Sequence, residues 1–180
     1  PSPDTGPTWT SDGRRIAYRS TRDGGGLFVT AIDGTNERRV TTFGVHPQWS
    51  PDGSEILFTW RSGEGVGPLA VYIVSPDEST PRLVRPDLLN NLGVLAVAWH
   101  PSGRLSVVGE HQTQPTLLLA PVVEGVLAHV LDTPVFRERL NVLGLRLGPH
   151  VWSPAGDQVF FEGSNGVENL WKVTIDPVTD

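Results

Sequence analysis

Four tryptophans, each followed four residues later by a glycine, constrain this chain most: Trp9 and Gly13, Trp49 and Gly53, Trp99 and Gly103, Trp152 and Gly156. Their surroundings repeat too. Residues 7–13 read Pro-Thr-Trp-Thr-Ser-Asp-Gly and 47–53 read Pro-Gln-Trp-Ser-Pro-Asp-Gly. Residues 97–103 read Val-Ala-Trp-His-Pro-Ser-Gly and 150–156 read His-Val-Trp-Ser-Pro-Ala-Gly. The tryptophans stand 40, 50 and 53 residues apart. Self-similarity at such a period marks a repeat architecture, in which one unit cannot bury its apolar surface alone.

The register continues past each motif. Seven and nine residues after the tryptophans stand Ile16 and Tyr18, Ile56 and Phe58, Ser106 and Val108, Val159 and Phe161; Ser106 is the polar exception. The residues between, Ala17, Leu57, Val107 and Phe160, are apolar as well. A strand apolar on both faces needs a layer on each side. A third apolar run follows in every unit (27–29, 71–74, 117–119, 170–173), and a short fourth run closes the first three (39–41, 82–84, 129–131).

Each unit therefore reads as a four-stranded antiparallel meander, the size and pattern of a β-propeller blade. The expected blades are approximately 1–46, 47–93, 94–148 and 149–180, the last incomplete. Turn chemistry agrees. Pro51-Asp52-Gly53 suits a type I turn, and Asp-Gly pairs at 12–13, 23–24 and 33–34 fall between apolar runs, where glycine supplies positive φ. The four tryptophans are expected in equivalent, mostly buried positions on inner strands, each filling the wedge between sheets.

Composition narrows the function classes. Of 180 residues, 38% are apolar and 19% charged, enough for a packed core. Net charge is -6, Lys172 is the single lysine, and the pairs Arg14-Arg15 and Arg38-Arg39 read as solvated strand ends. No basic stripe exists to track a nucleic acid, so no nucleic-acid partner is expected. Cysteine is absent, which removes disulfides and thiol chemistry. No apolar run reaches the ~18 residues of a spanning helix, so no membrane insertion is expected. The chain starts at Pro1 and has no methionine, so it is expected to be a piece of a longer protein. The compartment stays open between periplasm and cytoplasm.

The order Pro-x-Trp-Ser-Pro-Asp-Gly, Ile-Ala-Tyr, Arg-Asp-Gly, Leu-Phe-Val, Asp-Gly and Arg-Arg-Val-Thr, near-complete over residues 7–42, resembles the TolB-like, WD-like propeller repeat of bacteria. The third unit keeps mainly Trp99, Pro101 and Gly103. The resemblance implies a propeller of six or seven blades, of which four would form an open arc completed by the remaining blades of the parent chain. It implies protein or peptide binding at the channel mouth, or service as an accessory domain. Such repeats occur in Tol-Pal assemblies, in bacterial sensor proteins, and ahead of prolyl-oligopeptidase-type peptidase domains.

No catalytic motif stands out. A nucleophile elbow needs Gly-x-Ser-x-Gly; Gly163-Ser164-Asn165-Gly166 is one residue short and reads as a hairpin turn. The Gly-rich stretch 62–67 lacks the Lys-Ser/Thr of a phosphate loop and precedes a strand. The Asp-Gly turns lack EF-hand spacing, and a glycosidase carboxylate pair cannot be assigned without geometry. Of five histidines (46, 100, 111, 129, 150), His46 and His150 fall three and two residues before a motif tryptophan, on the strand expected to line a channel. They are the candidate binding residues, with metal ligation the competing reading for a propeller lyase.

The chain is thus expected to be a non-catalytic protein- or peptide-binding scaffold without metal or cofactor. An accessory propeller of a peptidase is the alternative, and a metal-dependent lyase the next. At the ends of an open arc, Ile16, Tyr18 and Phe28 on one side and Val159, Phe161 and Trp171 on the other are expected to lie exposed, promoting self-association.

Overall fold

A computed structural model describes residues 3–62, 67–111, 114–131, 137, 138, 140, 142, 148–164 and 168–175. The chain forms two compact units, Pro1–Val84 and Arg85–Asp180. In the first, β1 (Asp4–Trp9), β2 (Arg15–Ser20), β3 (Gly26–Ala31) and β4 (Arg38–Arg39) make one sheet. β5 (Val45–Trp49), β6 (Ile56–Arg61), β7 (Leu69–Val74) and β8 (Arg82–Leu83) make the next. The second unit opens with the helical turn α1 (Pro86–Leu89). It holds β9 (Gly93–Trp99), β10 (Leu105–His111), β11 (Gln114–Ala120) and β12 (His129–Val130), then β13 (His150–Trp152), β14 (Gln158–Ser164) and β15 (Glu168–Thr174). In every sheet each strand pairs antiparallel with its sequence neighbour, the meander of a propeller blade. The fold is all-β, a stretch of β-propeller built from three four-stranded sheets and one of three described strands.

The repeated motif closes the first hairpin of each blade. Trp9, Trp49, Trp99 and Trp152 end the first strands and oppose Ile16, Ile56, Leu105 and Val159. The glycine N–H four residues after each tryptophan donates back to the residue just after it: Gly13 to Thr10 O, Gly53 to Ser50 O, Gly103 to His100 O and Gly156 to Ser153 O, at 2.8–2.9 Å. All four glycines have positive φ, 68° to 79°, the region glycine enters without a Cβ clash. The hydroxyl after the tryptophan serves the same turn. Thr10, Ser50 and Ser153 accept the N–H of Arg15, Glu55 and Gln158 at 3.0–3.1 Å. Thr10 and Ser50 donate to Asp12 and Asp52, and those bonds hold the two carboxyls below their ordinary range. The Trp-Ser/Thr-x-Asp-Gly order is therefore a satisfied polar turn.

The third blade spaces its strand differently. Trp99 opposes Leu105, six residues on, where the other tryptophans oppose a residue seven on. The shorter turn moves Ser106 into the position of Ala17, Leu57 and Phe160, not that of Ile16. Its polarity in an apolar strand is thereby placed on the opposite face from the one the spacing suggested.

Within each unit the two sheets stack. Ala17, Leu27 and Val29 join Trp49, Ile56, Phe58 and Val74 in one buried cluster, with Phe43 and Tyr72 against it. In the second unit Val108, Leu117, Leu140, Val159 and Phe161 form another, flanked by Trp152 and Trp171. The preceding blade also caps the next tryptophan. The Arg15 guanidinium sits 4.6 Å from the Trp49 ring centre and donates to Gly53 O at 2.6 Å. In the second unit His100 packs edge-on against Trp152 at 4.6 Å, its Nε2 3.1 Å from Gly156 O.

Burial of the tryptophans differs from blade to blade. Trp49 is 7% exposed, Trp99 and Trp152 are half-buried, and Trp9 is 51% exposed. The expectation of four mostly buried tryptophans fails at Trp9, which heads the first sheet of its unit and has no preceding turn over it. The expected exposed flanks are also corrected. Tyr18 and Phe28 are buried because they stack on each other and Arg22 lies over both rings, 5.0 Å from Phe28 and 6.0 Å from Tyr18. Glu37 anchors Arg22 through two 3.1 Å bonds and accepts the Tyr18 hydroxyl. Burial, then the Glu37 carboxylate, pushes the Tyr18 phenol up to about 12. Val159 and Phe161 are buried and Trp171 half-buried, since all three face the third blade. On the fourth blade the exposed positions include Val151, Leu170 and Lys172.

Candidate functional site

His46 sits near the start of β5, where the pairing with β6 slips between Val45 and Gln48. Its ring is exposed, with Nδ1 3.4 Å from the Thr59 hydroxyl. Its φ is +53°, a left-handed conformation that costs a non-glycine residue roughly 1–2 kcal/mol. The equivalent bulge in β1 lies between Thr5 and Thr8, and the residue three before its tryptophan is Gly6, at φ +59°. The bulge thus demands positive φ at this position. One blade meets the demand with glycine, while the next places an exposed imidazole there under strain.

His150 stands two residues before its tryptophan, so it takes a different place. It is buried in β13 opposite Phe161. Its Nε2 lies 2.7 Å from the hydroxyl of Ser106, which is fully buried on the neighbouring blade. Its Nδ1 lies 3.4 Å from Gly148 O. A carbonyl only accepts, so Nδ1 carries the proton and Nε2 accepts the Ser106 O–H. Burial drives the imidazole down to about 4, with the Gly148 carbonyl opposing it.

A hydroxyl held on an imidazole nitrogen is the arrangement of an activated nucleophile. Here the serine is fully buried between two sheets, closed off from solvent. The pair acts as a polar joint. The equivalent positions in the first unit are Ala17 and Pro47, both buried. The polar residues thus replace apolar ones on both sides of one interface. Ser106→Ala should leave the His150 acceptor unsatisfied and cost about 1–3 kcal/mol. Ser106→Ala with His150→Pro, copying the first unit, should recover part of that loss in urea denaturation. A single variant as stable as the parent would show that the pair contributes nothing.

The two candidate histidines therefore belong to separate units, one exposed and one buried. Among the described residues no group of three His, Cys, Asp or Glu side chains is placed to hold a metal. No helix of the described residues is long and apolar enough to cross a membrane. Most of the Gly-rich stretch (63–66), Asn165 and Gly166 of the serine turn, and residues 176–180 lie outside the described residues. The Ser106–His150 contact escaped the sequence reading. Its signal was a serine inside an apolar strand, matched by a histidine where other blades carry Pro47 or Val97.

No protein-family model matches the chain. Over 66 residues it is 42% identical to an uncharacterized peptidase, YuxL, of Bacillus subtilis, spanning 34% of this chain and 10% of that protein. Over 58 residues it is 41% identical to the Tol-Pal system protein TolB of Alcanivorax borkumensis, spanning 29% of this chain and 13% of that protein. TolB from Acinetobacter baumannii superposes on 98% of the chain and 42% of its own length, with TM-score 0.72 and 18% identity. A puromycin-hydrolyzing peptidase of Mycobacterium tuberculosis gives TM-score 0.62 at 13% identity, covering 98% of this chain and 30% of its own. An oligogalacturonate lyase in complex with manganese gives 0.56 at 20% identity, covering 97% and 49%. The chain resembles TolB-like propellers in fold over nearly its whole length, and it spans only a small share of the curated relatives it matches.

Proposed function

We propose that these blades are a protein- or peptide-binding scaffold, part of a larger bacterial propeller protein, with His46 on the contact surface. The observation that carries this reading is the strained, exposed imidazole at a bulge where the sister blade uses Gly6. Backbone strain persists where the surroundings over-determine it, and it collects at binding sites. The resemblance to TolB proteins supports a non-catalytic role. The exposed Trp9 of the first unit, and Val151 and Leu170 of the second, suit cover by further blades of a parent chain. The match to a curated peptidase favours a second reading, an accessory propeller beside a peptidase domain. Fold alone does not choose between them.

His46→Gly separates contact from folding, because it removes the ring and relieves the backbone. Titrated by fluorescence anisotropy against an array of labelled peptides, the chain should bind a subset. The variant should lose about tenfold in affinity, ~1.4 kcal/mol, with an unfolding midpoint no lower than the parent's. Equal affinity of variant and parent for every bound peptide would remove His46 from the surface. Hydrolysis of puromycin or cleavage of oligogalacturonate by the chain alone would overturn the non-catalytic reading.

A further inference from the structure

We propose that Ser106 and His150 form an acid-released latch: protonation of the buried imidazole frees the fourth blade from the third. The latch lies inside the second unit, between β10 and β13, and both groups are buried. The neutral ring is fully used there, donating from Nδ1 to Gly148 O and accepting the Ser106 hydroxyl at Nε2. A second proton must go to Nε2, the nitrogen that now accepts. The serine can rotate to accept in turn, but its own O–H then loses its acceptor. Among the described residues, the positive charge would also stay buried beside neutral groups. Burying a charge without a counter-charge costs far more than one neutral hydrogen bond contributes.

Among the described residues the ionisable groups around the pair offer no rescue. β9 carries none in its sequence. On β10, Glu110 shares the Ser106 face but stands four residues along and is exposed. On β14, Glu162 is exposed. Arg137 and Glu138 precede Leu140, which packs in the same cluster, and neither contributes to the shift of His150, which burial dominates. The fall of the imidazole to about 4 sets the window. An unfolded histidine titrates near 6.5. The latch therefore stabilises above about pH 6.5 and loses that contribution as pH falls towards 4, below which both states carry the proton. The first unit has Ala17 and Pro47 at the equivalent positions and serves as an internal control.

Hydrogen exchange of the full chain, read by mass spectrometry between pH 7.5 and 5 and corrected for intrinsic rates, tests the latch. Staying above pH 5 keeps carboxylate titration out of the window. Protection over residues 150–161 should fall by up to about tenfold per pH unit below 6.5, while residues 15–31 hold theirs. In Ser106→Ala/His150→Pro the acid response of 150–161 should vanish. Equal responses in both units, or an unchanged response in the double variant, would overturn the proposal. If that variant does not fold, nitrogen-15 imidazole spectra of the unmodified chain decide. A ring titrating near 4 with Nε2 unprotonated supports the latch, and one titrating near 6.5 in the folded chain refutes it.

Discussion

Replacing Trp49 by alanine is expected to destabilise the first unit by about 3–5 kcal/mol, the usual loss for a buried large aromatic. The ring packs in the cluster with Ala17, Leu27, Ile56 and Phe58, so its removal opens a cavity at the joint between two sheets. Arg15 loses the ring beneath its guanidinium, a contact worth roughly 0.5–2 kcal/mol. The same substitution at Trp9, which is 51% exposed, should cost less than about 1 kcal/mol, because half of the ring already meets water. Urea denaturation followed by far-ultraviolet circular dichroism reads both. Equal midpoints for the two variants would show that the stacking of β1–β4 on β5–β8 is misplaced.

A larger loss is expected at Gly26. Its φ is +130°, and a Cβ built there would lie 1.9 Å from Thr41 O, a backbone atom that cannot rotate away. The approach is fixed by the strand end itself, since Val40 N donates to Leu27 O at 2.8 Å and Leu27 N to the Thr41 hydroxyl at 3.2 Å. Gly26→Ala should cost more than about 4 kcal/mol, a loss on the scale of a whole domain's stability. Gly13→Ala tests the cause. That residue also has positive φ, +68°, but nothing lies within 4 Å of its Cβ. Only the left-handed backbone term of roughly 1–2 kcal/mol applies there. A Gly26 variant as stable as the Gly13 variant would mean that residues 26 and 41 do not approach as described.

The tryptophan–glycine spacing carried the strand order and the hairpin register into view because both depend on local turn chemistry. What it could not carry was which side of a strand faces which neighbour. In the third blade one residue fewer in the turn shifted Ser106 across the strand, and side-chain direction alternates with every such step. The same alternation put Val159 and Phe161 inside and left Leu170 outside. Cover by a long side chain, as Arg22 gives Tyr18 and Phe28, depends on Glu37 fifteen residues away and leaves no pattern in the local sequence. His46 and His150 looked alike by their distance from a tryptophan. One residue of difference in that distance made one an exposed bulge residue and the other a buried partner of Ser106. The left-handed backbone of His46 was hinted at only by Gly6 in the sister blade.

Arg15 reaching Gly53, and Ser106 reaching His150, have a bearing on how such chains change over time. Each contact is written half in one repeat and half in the next. A recombination event that moved the fourth blade behind the first would set His150 against Ala17 and leave a nitrogen without its hydroxyl. Cutting between blades therefore separates matched residues, whereas cutting in the first hairpin of a blade, between its first and second strands, keeps them together. The heritable module in this chain is the junction, and duplications that persist should have breakpoints inside blades, in the turns just ahead of β2 or β10.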